Sequence, residues 1–511
     1  MTESFPERFR RNTVSNYANA GVALLIAVVM TPVLVHGLGK DAYGIWVLVG
    51  STVLYFDLLK FGLGGAVVKY VAEGDVQRDA DLLRRTVTTS VVVLLVPASI
   101  LIVLAPALAL LFPTLFDVPS SLETAAMISV VLACVDLAIA IPADTFGSTL
   151  IGLQRYDLLN LTLVVTAVGQ AVAWTVVLLL GGGIVALGAV TLVLSVASQA
   201  ARYALVKRLL PETRIARMYF DRTLVRPFAG LSAWISVIEV SRVVIGRIDT
   251  IVVGLVVGVP EAGVYAVGQK LASLPTRFAV PALESFFPHG SVLAASGAGD
   301  PSRFAPALKT GTRLAMAIAA PLTIALATLA RPTIEAWVGP GFGEATMVVV
   351  YLSVAALFTS VTSAGTYILS GAGIVEVPAA IIAGEAVLNF GLSVVLAASI
   401  GLVGVALGTL VAAAVMEVVI LLPYICRRAG TSFSSLVLVL VRAYLVPTIL
   451  ALGVALLLRG LGVHGLAEVL AAGAAVVGTY VAAMFVTALS RDERARVFAV
   501  ARSQVSPGSS S

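Results

Sequence analysis

The stretch Gly39-Lys-Asp-Ala-Tyr-Gly44-Ile-Trp46 recurs as Gly258-Val-Pro-Glu-Ala-Gly263-Val-Tyr265, with both glycines and the closing aromatic kept at an interval of 219 residues. Two further matches follow in order. Gly152 is answered by Gly371, again after 219 residues, and Val185-Ala-Leu-Gly188 by Val405-Ala-Leu-Gly408 after 220. One such match means little in a chain rich in Gly, Ala and Val. Three in order at a nearly constant interval indicate a duplication.

Hydropathy says what is duplicated. Hydrophobic residues make up 59% of the chain and charged residues 12%, with a mean hydropathy of +1.03. A soluble domain carries about 25% charged residues, so most of this chain must face lipid or other helices. A helix needs about 20 apolar residues to cross the hydrocarbon core. Runs of that kind lie near 14–38, 42–62, 86–112, 122–150, 158–180 and 184–206, then 227–257, 262–288, 310–330, 344–370, 377–400, 402–425, 437–458 and 465–489. The run from Val14 is too long for a signal-peptide h-region and is expected to be the first span. The repeat interval covers six spans, an even number, so the two copies share one orientation. The expected fold is an all-α integral membrane protein of about 14 transmembrane helices: two parallel six-helix lobes plus two C-terminal helices, an arrangement typical of transporters. The expected divisions are a lobe at 1–206, a basic amphipathic linker at 207–226, a second lobe at 227–425, two added helices at 426–490 and a polar tail at 491–511.

Charge sets the orientation. With the N-terminus inside, the inner segments hold 25 of the 33 Lys and Arg residues and the outer loops only Lys40, Arg331 and Arg459. This asymmetry predicts a multi-pass protein of the inner (plasma) membrane with both termini cytoplasmic. The net charge of +5 then belongs to topology and to anionic headgroups, and nucleic acid is not implied. Cys134 and Cys426 read as buried small hydrophobes. His36, His289 and His464 sit at three separate span ends, so no metal site is expected, and the chain has no phosphate-binding Gly-x-x-x-x-Gly-Lys-Ser/Thr loop.

The five remaining cations, Lys60, Arg242, Arg247, Lys270 and Arg277, fall inside predicted spans. An ionisable group at that depth costs several kcal/mol and is a functional candidate. Ser232, Ser236, Glu239, Arg242, Gly246 and Asp249 form one helical stripe on span seven; Lys270, Ser273, Arg277, Pro281 and Glu284 form another on span eight. Arg247 lies about 140° away from Arg242 at helical spacing. Asp57 and Lys60 stand one turn apart in span two, as Glu239 and Arg242 do in span seven, and either pair could be self-contained. Lone acids occur at Asp136, Asp144, Glu385 and Glu417, of which Glu417, with Lys69, Arg313 and Arg442, is expected to reach out to the interface. Two polar faces on adjacent helices line a water-filled cavity more readily than they face lipid. Lys60, Arg242, Lys270 and Arg277 are the expected ligands of an anionic substrate, arginine favouring phosphate by its bidentate geometry.

Gly37-Leu-Gly-Lys-Asp-Ala-Tyr-Gly44-Ile-Trp46, Phe56-Asp57 and Gly62-Leu-Gly-Gly-Ala-Val-Val-Lys-Tyr-Val-Ala72 resemble the opening of the bacterial polysaccharide (O-antigen-type) flippases. These belong to the multidrug/oligosaccharidyl-lipid/polysaccharide exporter superfamily. Arg247-Ile-Asp249-Thr-Ile-Val-Val-Gly254, Gly263-Val-Tyr265 and Gln269-Lys270-Leu resemble the start of that family's second lobe. The resemblance implies alternating access by two lobes around a central cationic cavity. The cargo would be an isoprenoid-pyrophosphate-linked oligosaccharide carried from the cytoplasmic to the outer leaflet for cell-surface polysaccharide such as lipopolysaccharide. It implies coupling to a proton or sodium gradient with no other cofactor; the candidate carriers are Asp57, Glu239, Asp249 and Glu385. It also implies a monomer working beside a polysaccharide polymerase and chain-length machinery. Leu58-Leu59-Lys60 stands where the family often has a glycine soon after the Asp. Two rivals share the superfamily: a flippase for the peptidoglycan lipid precursor, and a multidrug or cation antiporter, whose lumen should be acidic or apolar. A membrane enzyme would need catalytic groups near the outer face, and the external loops around 113–123 and 331–344 carry little chemistry, so no enzymatic activity is expected.

Overall fold

The computed structural model describes residues 5–60, 63–211, 215–225, 233–295, 301–488 and 494. Ser232, part of the linker and nearly all of the 491–511 tail therefore lie outside the described residues, as does the side chain of Ser236. The chain forms two compact units, Met1–Val264 and Tyr265–Ser511.

In the first unit, helix α1 (Phe5–Leu54) bends at Gly39, whose φ of 76° falls in the left-handed region that glycine tolerates best. The part before that glycine is long enough for a membrane pass, and the part after it begins a second that continues beyond the end of α1. The second pass does not run through as one α-helix. It tightens into a 3-10 segment at Tyr55–Lys60 and resumes as α2 (Leu63–Gln77). Asp79 caps α3 (Ala80–Leu115), its Oδ1 accepting the N–H groups of Asp81 and Leu82 at 3.0 and 2.9 Å. Then come α4 (Glu123–Gly152), α5 (Tyr156–Leu179), α6 (Ile184–Leu209) and α7 (Ala233–Val256). Helix α8 (Val259–Ala272) follows Gly258, which has φ 148°.

In the second unit, the chain after α8 continues as α9 (Leu274–Leu283) and α10 (Phe286–Ala295). Helices α11 (Phe304–Val338) and α12 (Ala345–Gly371) follow; α11 is distorted at Leu329, one turn ahead of Pro332, where the ring crowds the preceding turn. Helix α13 (Glu376–Ala413) reverses at Gly401, so that Gly404 packs on Leu396 and Gly408 on Leu392. A π-helical stretch, Ala414–Leu421, leads into α14 (Leu422–Arg428). Helices α15 (Phe433–Gly460) and α16 (Leu466–Thr487) dock on α11 through two tyrosines: Tyr444 donates to the Arg313 carbonyl at 2.7 Å and Tyr480 to that of Met316 at 3.4 Å, their rings stacked 6.3 Å apart.

Ten helices among the described residues are long and apolar enough to cross a membrane. Two of them bend at Gly39 and Gly401 and count as two passes each. Adding α7 and the interrupted α8–α10 gives fourteen passes, so this is an all-α, multi-pass membrane protein.

The duplication extends to backbone detail. Helix α4 ends in a left-handed turn at Gln154 (φ 58°) in which Arg155 donates to the Leu150 carbonyl at 2.8 Å. Helix α12 ends in the same turn at Gly373 (φ 80°), where Ile374 donates to Leu369 at 2.8 Å. Each of these positions is the other shifted by 219. Gly152 packs on Val68 and Val71 of α2, and Gly371 on Phe287 of α10, the shifted counterpart of Val68. Gly44 and its counterpart Gly263 meet each other, with 3.3 Å between the Gly44 Cα and the place a Gly263 Cβ would occupy. The third match does not carry over: Gly188 packs on Leu132, Gly408 on Leu392.

Candidate functional site

The second pass of each repeat is interrupted at the same place. Tyr55 opens the 3-10 segment of the first copy; Leu274, 219 residues on, opens α9 after the break at Ser273. In the second copy Pro275 supplies a local cause, since it has no N–H for the preceding turn. Interrupted helices at matching positions of two repeats are where transporters build binding sites.

At the first interruption Lys60 Nζ lies 2.6 Å from Asp57 Oδ1 and 3.6 Å from Asp144 Oδ2 of α4. Asp144 also acts electrostatically on Arg202 of α6, which is 9% exposed and donates to Thr162 Oγ1 at 3.2 Å and Gln199 Oε1 at 3.3 Å. The pairing expected of Asp57 and Lys60 therefore forms and extends across three helices. The other one-turn pair does not: Glu239 is exposed, Arg242 half-buried, and among the described residues they make no ion pair. The stripe on α7 also ends differently from its sequence reading. Gly246 is exposed, but Asp249 is 1% exposed and, with exposed Arg247, within electrostatic reach of the Tyr55 hydroxyl. The stripe turns inward there because α7 packs on the 3-10 segment and on α1.

The same unit holds a cavity of about 290 Å³ between α1, α4 and α6, lined mainly by apolar side chains with Trp46, Asp136 and Thr191 among them. Asp136 Oδ1 is buried and accepts no hydrogen bond, while Ser195 bonds its carboxyl. Trp46 meets Trp174 edge-on at 5.7 Å, and Trp174 donates to Thr191 Oγ1 at 3.0 Å.

At the second interruption the polar face holds together through the break. The Ser273 hydroxyl donates to the Lys270 carbonyl at 2.8 Å and accepts from Arg277 Nε at 3.1 Å. Lys270 is half-buried; Arg277, Pro281 and Glu284 are exposed. Further along, Glu385, Asn389 and Ser393 occupy one buried face of α13. Glu417 does not reach out to the interface as expected. It is 3% exposed within the π-helical stretch and accepts from Thr362 Oγ1 at 3.3 Å. π-Helical turns recur at functional sites. Among the described residues no group of three or more His, Cys, Asp or Glu could hold a metal, and both cysteines are buried and free.

Sequence reading missed the partnership of Lys60 with Asp144 and Arg202. Its only signal was the presence of opposite charges on three helices of one lobe, with Arg202 counted among the inner cations.

Residues 9–293, more than half of the chain, match the family described as polysaccharide biosynthesis protein. This chain belongs to that family. Solved structures share its fold, that of the MOP superfamily transporters. The lipid II flippase MurJ in an inward closed conformation is similar at 12% identity over 92% of this chain and 97% of its own, with a TM-score of 0.70. An inward-facing multidrug resistance MATE transporter is similar at 17% over 81% and 94%, with a TM-score of 0.67. A Pyrococcus furiosus MOP transporter, in which a reversed polarity of the binding pocket suggests a different function, is similar at 15% over 84% and 96%, with a TM-score of 0.54. No curated protein sequence matches this chain.

Proposed function

We propose that this polysaccharide biosynthesis protein is a flippase. It moves an isoprenoid-pyrophosphate-linked oligosaccharide from the cytoplasmic to the outer leaflet of the plasma membrane by alternating access. The observation that carries the reading is the matched interruption of the second pass in both repeats, each bearing a cation: Lys60 at Tyr55–Lys60 and Arg277 in Leu274–Leu283. A pyrophosphate is the constant charged part of a variable glycolipid, and Lys60, Arg242, Lys270 and Arg277 are its proposed ligands. The basic loops, 25 cations against three, support cytoplasmic termini. Asp57, Glu239, Asp249 and Glu385 are the proposed carriers of a driving proton or sodium ion, and a polysaccharide polymerase with its chain-length machinery would take up the delivered unit.

The test is reconstitution of the full chain in liposomes with an isoprenoid-pyrophosphate-linked glycan, scored for transfer between leaflets. Arg242→Ala is expected to slow transfer about tenfold, the worth of one charge-assisted hydrogen bond. Equal rates with and without protein would overturn the reading. The peptidoglycan lipid precursor and a lipophilic cation serve as parallel arms, because lipid II and drug transporters share this fold; faster transfer of either would reassign the cargo.

A further inference from the structure

We infer that Asp144 is a built-in stand-in for the substrate's phosphoryl group, occupying its seat beside Lys60 until the substrate displaces it. The inference rests on the reading of Lys60 as a phosphate ligand.

Lys60 carries two carboxylates, and they are not equivalent. Asp57 lies on the same 3-10 segment, three residues back and 2.6 Å away, and moves with the lysine. Asp144 comes from another helix, stands farther off at 3.6 Å, and its side chain is 45% exposed against 22% for Lys60. The longer and more exposed of the two contacts is the weaker one, so a phosphoryl oxygen forming charge-assisted hydrogen bonds can replace it. The displaced carboxylate has somewhere to go. Arg202, on which Asp144 already acts, is anchored by Thr162 and Gln199 and stays in place to receive it. Asp144 thus interacts with two cations on two other elements, Lys60 at 3.6 Å and Arg202 electrostatically. Because Asp57 stays with Lys60 throughout, Asp144 can leave without stranding an uncompensated charge at membrane depth. In the loaded state it stands ready to reclaim Lys60, which promotes release.

The reading predicts an uncommon sign: removing a charged residue from the site tightens binding. The test measures binding of farnesyl pyrophosphate to the purified full chain in detergent, with farnesol as the uncharged control. Asp144→Asn is expected to bind the pyrophosphate about two- to fivefold tighter than wild type, the range of an exposed ion pair. Asp144→Glu should bind like wild type, and Lys60→Gln should abolish the gain when combined with Asp144→Asn. In transport, Asp144→Asn should lower KM and kcat together, because retention rises with affinity. A merely structural Asp144 would give weaker binding in the Asn variant. Equal or weaker binding by Asp144→Asn, in a protein that still prefers farnesyl pyrophosphate to farnesol, overturns the role of Asp144 alone. A wild-type protein that does not distinguish the two ligands overturns the pyrophosphate reading and this inference with it.

Discussion

The two copies of the duplicated half agree in backbone and disagree in charge. Both bend at a positive-φ glycine, Gly39 or Gly258, both break the second pass at Tyr55 or Leu274, and both end a later helix in the same left-handed turn, at Gln154 or Gly373. At the break, however, Lys60 is held by two carboxylates from two elements, whereas Arg277 is held by one neutral hydroxyl, that of Ser273. The first copy offers a cation whose charge is already countered, the second a cation that only needs orienting. Packing constraints survive duplication because they forbid atoms; charges are free to diverge once one site serves a single ligand.

The largest expected effect tests the backbone half of that comparison. A Cβ at Gly371 would strike the Phe287 carbonyl outright, while one at Gly152 would lie 2.8 Å from the Val71 Cβ and 3.0 Å from the Val68 carbonyl, a milder overlap. Gly371→Ala should therefore destabilise the protein by about 3 kcal/mol and Gly152→Ala by about 1 kcal/mol, read as detergent melting temperatures. Equal losses would mean that the two glycines are packed equally tightly, against the expected difference between a carbonyl and a side-chain contact. The charge half comes next. Arg277→Ala should cut transport about tenfold, the value of a charge-assisted contact, and Ser273→Ala only two- to threefold, about the worth of one neutral hydrogen bond. A Ser273→Ala loss matching that of Arg277→Ala would show that the hydroxyl does more than orient the guanidinium.

The smallest effect concerns the linker, which is pinned to the first unit. The Asp221 N–H donates to Thr89 Oγ1 at 2.9 Å, Arg85 reaches its carboxylate at 3.3 Å, and the Arg84 guanidinium lies 5.7 Å from the centre of the Tyr219 ring. Hydrogen bonds from the Thr223 hydroxyl and N–H, then the charge of Arg85, hold the Asp221 carboxyl below its ordinary range. Because the folded value is the lower one, the stabilisation is fully present above about pH 4 and is lost as pH falls through the folded value. Protease cleavage within 207–226 should rise below about pH 4 in wild type, and Asp221→Asn should show the raised rate at neutral pH. An Asn variant as resistant as wild type would remove Asp221 from the attachment.

Most of the architecture was legible in the sequence. The fourteen passes followed from apolar run length, and the duplication from Gly39, Gly44 and Gly152 with their counterparts. The candidate site was legible only in part. Helical spacing joined Lys270, Ser273 and Arg277, and hydrogen bonds join them in the fold. It also grouped Asp249 with Glu239, yet one is buried and the other exposed. Glu417, expected at the interface, is instead enclosed where the helix widens into a π turn.

Pass number, repeat interval and the inventory of membrane-depth charges are properties of the sequence itself. A lipid solvent requires each crossing segment to be apolar over its own length and to satisfy its own backbone, so the information is local. The tertiary structure alone decided which charges meet. Lys60 and Asp144 stand 84 residues apart on different elements, and helical periodicity gives a side chain's direction but not what the neighbouring helix places opposite it. For that reason the fold is written in the hydropathy of the chain, and the state of its first cation only in the packing of the 3-10 segment, α4 and α6.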